Sequence, residues 1–248
     1  METLNQMQKR IQAFSIHSLY CREDGSFETN PNLIYKVDET GALQPYYGNS
    51  MIFELKDDKL LSLCQTLCHQ VNQSEMMAEP LLHHTMHMTL HDLVNGANLV
   101  DIAQIKAEIG IQALEVLNNL PKFELKMKPV RVYSMNQTSI VLGMEAVNEE
   151  HHQTLMRLYE AFQSIYPLSY PLTPHITLSY YRPNIYSKEA VLNLQEYMRR
   201  ANDQLKKMEI TLTKDDLKLM EFISMNQYIV KEAKKVWLSI RKGNEFLR

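Results

Sequence analysis

The chain is poor in cysteine, glycine and net charge, and it has no long apolar run. Its 248 residues include three cysteines. That number is odd and too small for a disulfide framework, so a reducing cytoplasm is the expected location. Seven glycines and the absence of any low-complexity or single-charge block leave no evident linker that would split the chain. Twenty-six basic residues against 29 acidic ones give a net charge of −3. An extended nucleic-acid surface has to be basic, so the balance argues against one. A small anionic substrate held by a few local groups fits it. No stretch approaches the roughly 20 apolar residues that span a bilayer. Residues 1–12 are polar and mixed in charge, so no signal peptide is expected.

Hydrophobic residues make up 45% of the chain, enough to bury a proper core. Two of the cysteines belong to that core. Leu60, Leu63, Cys64, Leu67, Cys68 and Val71 recur at helical spacing, which reads as the inward stripe of a helix over 57–73. No second cluster completes a zinc set around them, so packing is the expected role.

What the chain does have is one phrase written twice: His87-Met88-Thr89-Leu90 and His175-Ile176-Thr177-Leu178. Nine histidines with this chain's threonine and leucine frequencies would give about 0.02 such phrases by chance. Thr85 and Thr173 extend the likeness, each two residues before its histidine. Alternate side chains of a strand share a face. The first segment would therefore present His83, Thr85, His87, Thr89 and His91 together, and the second Thr173, His175, Thr177, Ser179 and Tyr181. The intervening residues are apolar: Met86, Met88 and Leu90 in one, Ile176 and Leu178 in the other. Such strands line a wet cleft over a core.

The elements around them alternate. Helices are expected at about 1–20, 57–73, 102–119 (capped by Asp101), 148–165 and 187–206. Strands are expected at 50–55, 84–91, 123–134, 138–146, 175–181, 208–213 and 217–225, with a turn at 135–137 and a short C-terminal segment. His151 and His152 read as a solvated helix face. The order of helix then histidine strand occurs twice, which points to a weakly duplicated, pseudo-symmetric α+β chain.

Two matched histidines suit general acid–base chemistry. Imidazole titrates near neutrality, so one ring can accept a proton while the other donates one. The threonine two residues on shares its histidine's face and can donate to a phosphate oxygen as charge develops there. A phosphodiester fits this symmetry. A second reading places a metal on His83, His87 and His91, whose four-residue spacing would form a column on a helix. The β-branched threonines and the two-residue alternation argue for a strand instead. A third reading keeps the cleft but only to bind or sense a nucleotide.

The two His-x-Thr-apolar motifs, one in each half of an α+β chain, resemble those of the 2H phosphoesterase superfamily. The resemblance covers the motifs and most of residues 45–225. It implies one bilobal domain over 1–248, in which two antiparallel sheets form a concave cleft with helices outside. It also implies no metal or other cofactor. Carried over by position, His87 and His175 become the acid–base pair and Thr89 and Thr177 the phosphate-binding hydroxyls. Tyr181, on the expected site face, would stack on a base or bond a phosphate, while Tyr180 would point away. Arg182 is a phosphate contact by charge alone. The expected substrate is a small 2′-linked or 2′,3′-cyclic nucleotide or RNA end. Ligation would use the same residues, and either histidine can be the base. Residues 1–45 have no counterpart in compact members and are read as an N-terminal extension that shapes the pocket or a dimer contact.

Overall fold

The computed structural model of the chain describes residues 2–16, 19 and 21–231. Its strands are β1 (Phe27–Glu28), β2 (Tyr47–Glu54), β3 (His87–Gly96), β4 (Glu124–Met135), β5 (Ser139–Ala146), β6 (His175–Tyr180), β7 (Ile185–Tyr186), β8 (Ile210–Thr213), β9 (Leu217–Ser224) and β10 (Gln227–Lys231). Its helices are α1 (Leu4–Ile16), α2 (Asp58–Val71), α3 (Leu99–Asn119), α4 (Glu149–Gln163) and α5 (Lys188–Asp203). The short segment expected beyond Lys231 and the end of the N-terminal arm lie outside the described residues.

Local chemistry explains the helix starts. Asp57, Asn98, Asn148 and Ser187 each accept a backbone N–H of the first turn of α2, α3, α4 and α5, which satisfies donors that the helix cannot. The cap of α3 is thus Asn98 and not Asp101. Asp101 sits inside the first turn, where its charge favours the positive helix end. The turn between β4 and β5 holds Asn136 and Gln137 at φ 51° and 57°, as the sequence there suggested. β2 begins at Tyr47, three residues before the expected strand over 50–55.

The architecture is α+β, as expected. β1 pairs with β7, and the other strands form one strongly curled antiparallel sheet of eight, in the order β10-β9-β2-β3-β6-β5-β4-β8. The two expected sheets are its two halves, joined between β3 and β6 by the single pair Met88 and Ile176. The helices pack against this sheet: α3 on β2, β3 and β9; α4 on β3, β4 and β5; α2 on β6 and α5; and α5 on β4. Cys64 and Cys68 are buried on the inner stripe of α2.

Each motif strand carries a β-bulge at the same place in its phrase. Ile52 pairs with Thr89 and Met51 with His91, so Leu90 is the extra residue of β3. Val141 pairs with Thr177 and Ile140 with Ser179, so Leu178 is the extra residue of β6. A bulge shifts the alternation of faces by one residue, and this decides which downstream side chains reach the cleft.

Candidate active site

The curl of the sheet leaves an open cleft of about 900 Å³, and both phrases line it. His87 and Thr89 of β3 and His175 and Thr177 of β6 face the cleft half-buried, while Met88, Leu90, Ile176 and Leu178 are buried in the core. Antiparallel register through Met88 and Ile176 sets Thr89 on the side of His175 and Thr177 on the side of His87.

The two imidazoles are fixed in the same way. His87 Nδ1 lies 2.6 Å from the Thr85 carbonyl oxygen, and His175 Nδ1 lies 2.7 Å from that of Thr173. A carbonyl only accepts, so Nδ1 carries the proton in each neutral ring and Nε2 is left for the cleft. The likeness two residues before each histidine therefore acts through backbone rather than through the threonine hydroxyls. These serve elsewhere: Thr85 donates to the Leu82 carbonyl, and Thr173 accepts from Arg10. Burial holds both histidines below the usual 6.5, and the carbonyl bonds oppose that shift. Asp92 raises both, the charge of His175 lowers His87, and the Lys36 ammonium lowers His175.

Two expected contacts are corrected. Tyr181 is fully buried, packed at 5.0 Å against the Phe27 ring, and it is Tyr180 that lines the cleft. The bulge at Leu178 is the cause, because the next residues exchange faces. Arg182 is also outside the cleft lining. It packs beside Gly41, with its Cδ 3.4 Å from where a Cβ on that residue would lie. The bulge at Leu90 acts likewise in β3, turning His91 inward and Asp92 towards the cleft.

The histidine column does not form. His83 is exposed on a 3₁₀ turn spanning His83–Thr85. His91 is 1% exposed, with Nδ1 2.5 Å from the Asp92 carbonyl and Nε2 3.0 Å from Gln163 Oε1. Among the described residues no three His, Cys, Asp or Glu side chains gather as a metal would require. His152, read as solvated, is buried with Nε2 2.8 Å from the Glu2 carbonyl, because α1 crosses α4 there.

Several cleft residues escaped the sequence reading. Asp92 and Tyr180 occupy the same offset after their histidines, but they lie beyond the bulges and differ in residue type, so the phrase does not mark them. Asp92 accepts from Ser50 Oγ and from the Tyr170 hydroxyl, each at 3.1 Å. Tyr228 of β10 sets its ring 5.0 Å from His87, edge to face. Arg10 of α1 and Lys36 reach the cleft from the N-terminal extension, and no local signal marks them. Four of the five Arg10 N–H donors are engaged, with two bonds to Glu2 and one each to Thr173 Oγ1 and the Leu172 carbonyl.

No family model and no curated protein matches the chain. Solved structures do. TT0787 of Thermus thermophilus is 13% identical with a TM-score of 0.45, over 74% of this chain and 94% of that one. E. coli LigT complexed with 3′-AMP is 12% identical with a TM-score of 0.43, over 75% and 96%. A conserved protein of unknown function from Agrobacterium tumefaciens is 15% identical with a TM-score of 0.63, over 82% of this chain and 98% of its own. The chain shares its fold with the Agrobacterium protein over nearly the whole of that protein's length.

Proposed function

We propose that the cleft is the active site of a 2H-type phosphodiesterase, which hydrolyses a small 2′-linked or 2′,3′-cyclic nucleotide or RNA end by metal-independent acid–base catalysis. The observation that carries this reading is the matched fixing of His87 and His175. Each has its Nδ1–H engaged by a carbonyl and its Nε2 left to one shared cleft. One Nε2 takes a proton from water as the water oxygen bonds to phosphorus. The opposite P–O bond breaks, and the other ring, charged at that moment, gives its Nε2 proton to the leaving oxygen. The Thr89 and Thr177 hydroxyls donate to the non-bridging oxygens, where charge builds. The half-buried rings of Tyr46, Tyr180 and Tyr228 offer faces on which a base can stack. Run backwards, the same groups join two ends.

The reading extends to a single bilobal domain acting in the cytoplasm, where its free thiols stay reduced. Among the described residues no helix is long and apolar enough to cross a membrane. The test is turnover of a panel of 2′,3′-cyclic and 2′,5′-linked nucleotides, with and without chelator. Turnover that survives chelation is the expected result. Binding without turnover would make the cleft a nucleotide sensor, and chelator-sensitive turnover would make it a metal hydrolase.

A further inference from the structure

We propose that Lys36, brought into the cleft by the N-terminal extension, binds the phosphate of the substrate; the inference rests on the phosphodiester reading above. Its backbone is held firmly. Lys36 closes the 3₁₀ turn Pro31–Tyr35, which Asn30 caps, and its N–H donates to the Leu33 carbonyl at 2.8 Å. Its own carbonyl accepts from Gln44 N at 2.8 Å, and flanking Leu33 and Val37 are buried. The side chain therefore starts from a fixed point, as a preorganised site needs.

The ammonium ends among aromatic rings, 4.9 Å from the Tyr46 centroid and 5.8 Å from that of Tyr180. Among the described residues no carboxylate lies within ion-pairing distance of it. Asp92 is close enough to favour its charge but is occupied by Ser50 and Tyr170. Burial disfavours that charge more strongly and lowers its pKa. Arg10, the other fixed cation of the cleft, is already ion-paired with Glu2 and gives four of its five donors to protein. Lys36 is thus a half-buried cation set against two ring faces with no ion-paired carboxylate, and ring faces offset only part of the cost of desolvation. An anion seated beside His175 would complete the pairing. Lys36 and His175 line the same cleft, and the lysine charge opposes protonation of that ring. A phosphodiester bound in this cleft carries non-bridging oxygens with which the ammonium can pair. A lysine serves such an oxygen as a point charge.

The experiment uses the full chain and inorganic phosphate, with affinity measured by isothermal titration calorimetry at pH 7. Lys36→Met keeps the length and tolerates burial; Lys36→Gln serves as a second variant, and circular dichroism checks that both fold. Losing a charge-assisted bond should weaken phosphate by at least about tenfold in both variants. Lys36→Arg should stay within about threefold of wild type, because it keeps the charge. Equal phosphate affinity in wild type and either neutral variant overturns the proposal, as does a wild-type protein that binds no phosphate. Turnover separates this from the reading it rests on. If wild type hydrolyses a cyclic phosphodiester and Lys36→Met does so with the same kcat/KM, the lysine is wrong and the enzyme stands. If wild type turns over none of the panel, the phosphodiesterase reading falls whatever the lysine binds.

Discussion

A histidine becomes an acid–base group only when one nitrogen is committed and the other is free. His87 and His175 meet that condition through the carbonyls of Thr85 and Thr173. Replacing either by Ala should lower turnover by at least about 10²-fold with the fold intact. A variant that kept more than a tenth of wild-type rate would rule out the pair. Thr89→Val or Thr177→Val keeps the β-branched shape and removes the hydroxyl, so turnover should fall about 10–10³-fold. Wild-type kinetics in either variant would mean that its threonine serves only strand packing. The pH profile follows from the direction of the histidine shifts. Both lie below 6.5 because of burial, so kcat/KM, which reports the free enzyme, should be bell-shaped with its maximum on the acid side of 6.5. A bound phosphate stabilises imidazolium, raises both values and should move the kcat profile to higher pH. A rate that climbs to a plateau and never falls through about pH 9 would point to a metal-bound hydroxide instead.

Within the strands, the two bulges decide more than any single side chain. An extra residue leaves part of the ladder unpaired, and each freed group needs another partner. At Leu178 the partner comes from α2: Cys68 Sγ donates to the Leu178 carbonyl at 3.2 Å. Burial pushes the Cys64 thiol up to about 12 and raises that of Cys68 as well, so both are protonated at neutral pH and Cys68 can act as a donor. Cys68→Ala leaves the carbonyl without that donor and should cost about 1–3 kcal/mol in urea unfolding. Cys68→Ser keeps a donor and should cost less. If serine and alanine proved equally destabilising, packing alone would account for the cysteine. The same shift of faces brings Tyr180, rather than Tyr181, beside Thr177, with which its hydroxyl interacts.

For the molecule as a whole, the cost of the cleft should appear in its response to acid. His87, His91 and His175 all have pKa values lowered chiefly by burial. The unfolded chain therefore binds more protons than the folded one below 6.5, and their contribution to stability is present above that value and lost as pH falls. The carboxylates act in a lower window. Glu196 is held down to about 2 by Arg199 and Arg200, and Asp216 is lowered by Lys56 and Thr213 against its burial. Their contributions persist until pH falls below about 4.5. The urea midpoint should thus drop between pH 7.5 and pH 5, before the contributions of Glu196 and Asp216 are lost. An unchanged midpoint over that range would show that the histidines are better solvated than their surroundings imply.

The sequence by itself determined the elements and the floor of the cleft. Periodicity over 57–73, 148–165 and 187–206 corresponds to α2, α4 and α5, because core-facing spacing and caps are local properties. The repeated phrase located His87, Thr89, His175 and Thr177, because alternation holds over the few residues from each histidine to the bulge. Beyond Leu90 and Leu178 that alternation fails, since a bulge is set by pairing with a neighbouring strand. Tyr181 and His91 were misplaced for that reason, whereas His83 lies on the 3₁₀ turn before β3 and Arg182 had only its charge to recommend it. Only the tertiary structure joined the halves into one sheet through Met88 and Ile176. It also carried Arg10 and Lys36 from the distant N-terminal extension to the cleft, because contacts between residues far apart in the chain leave no spacing to read.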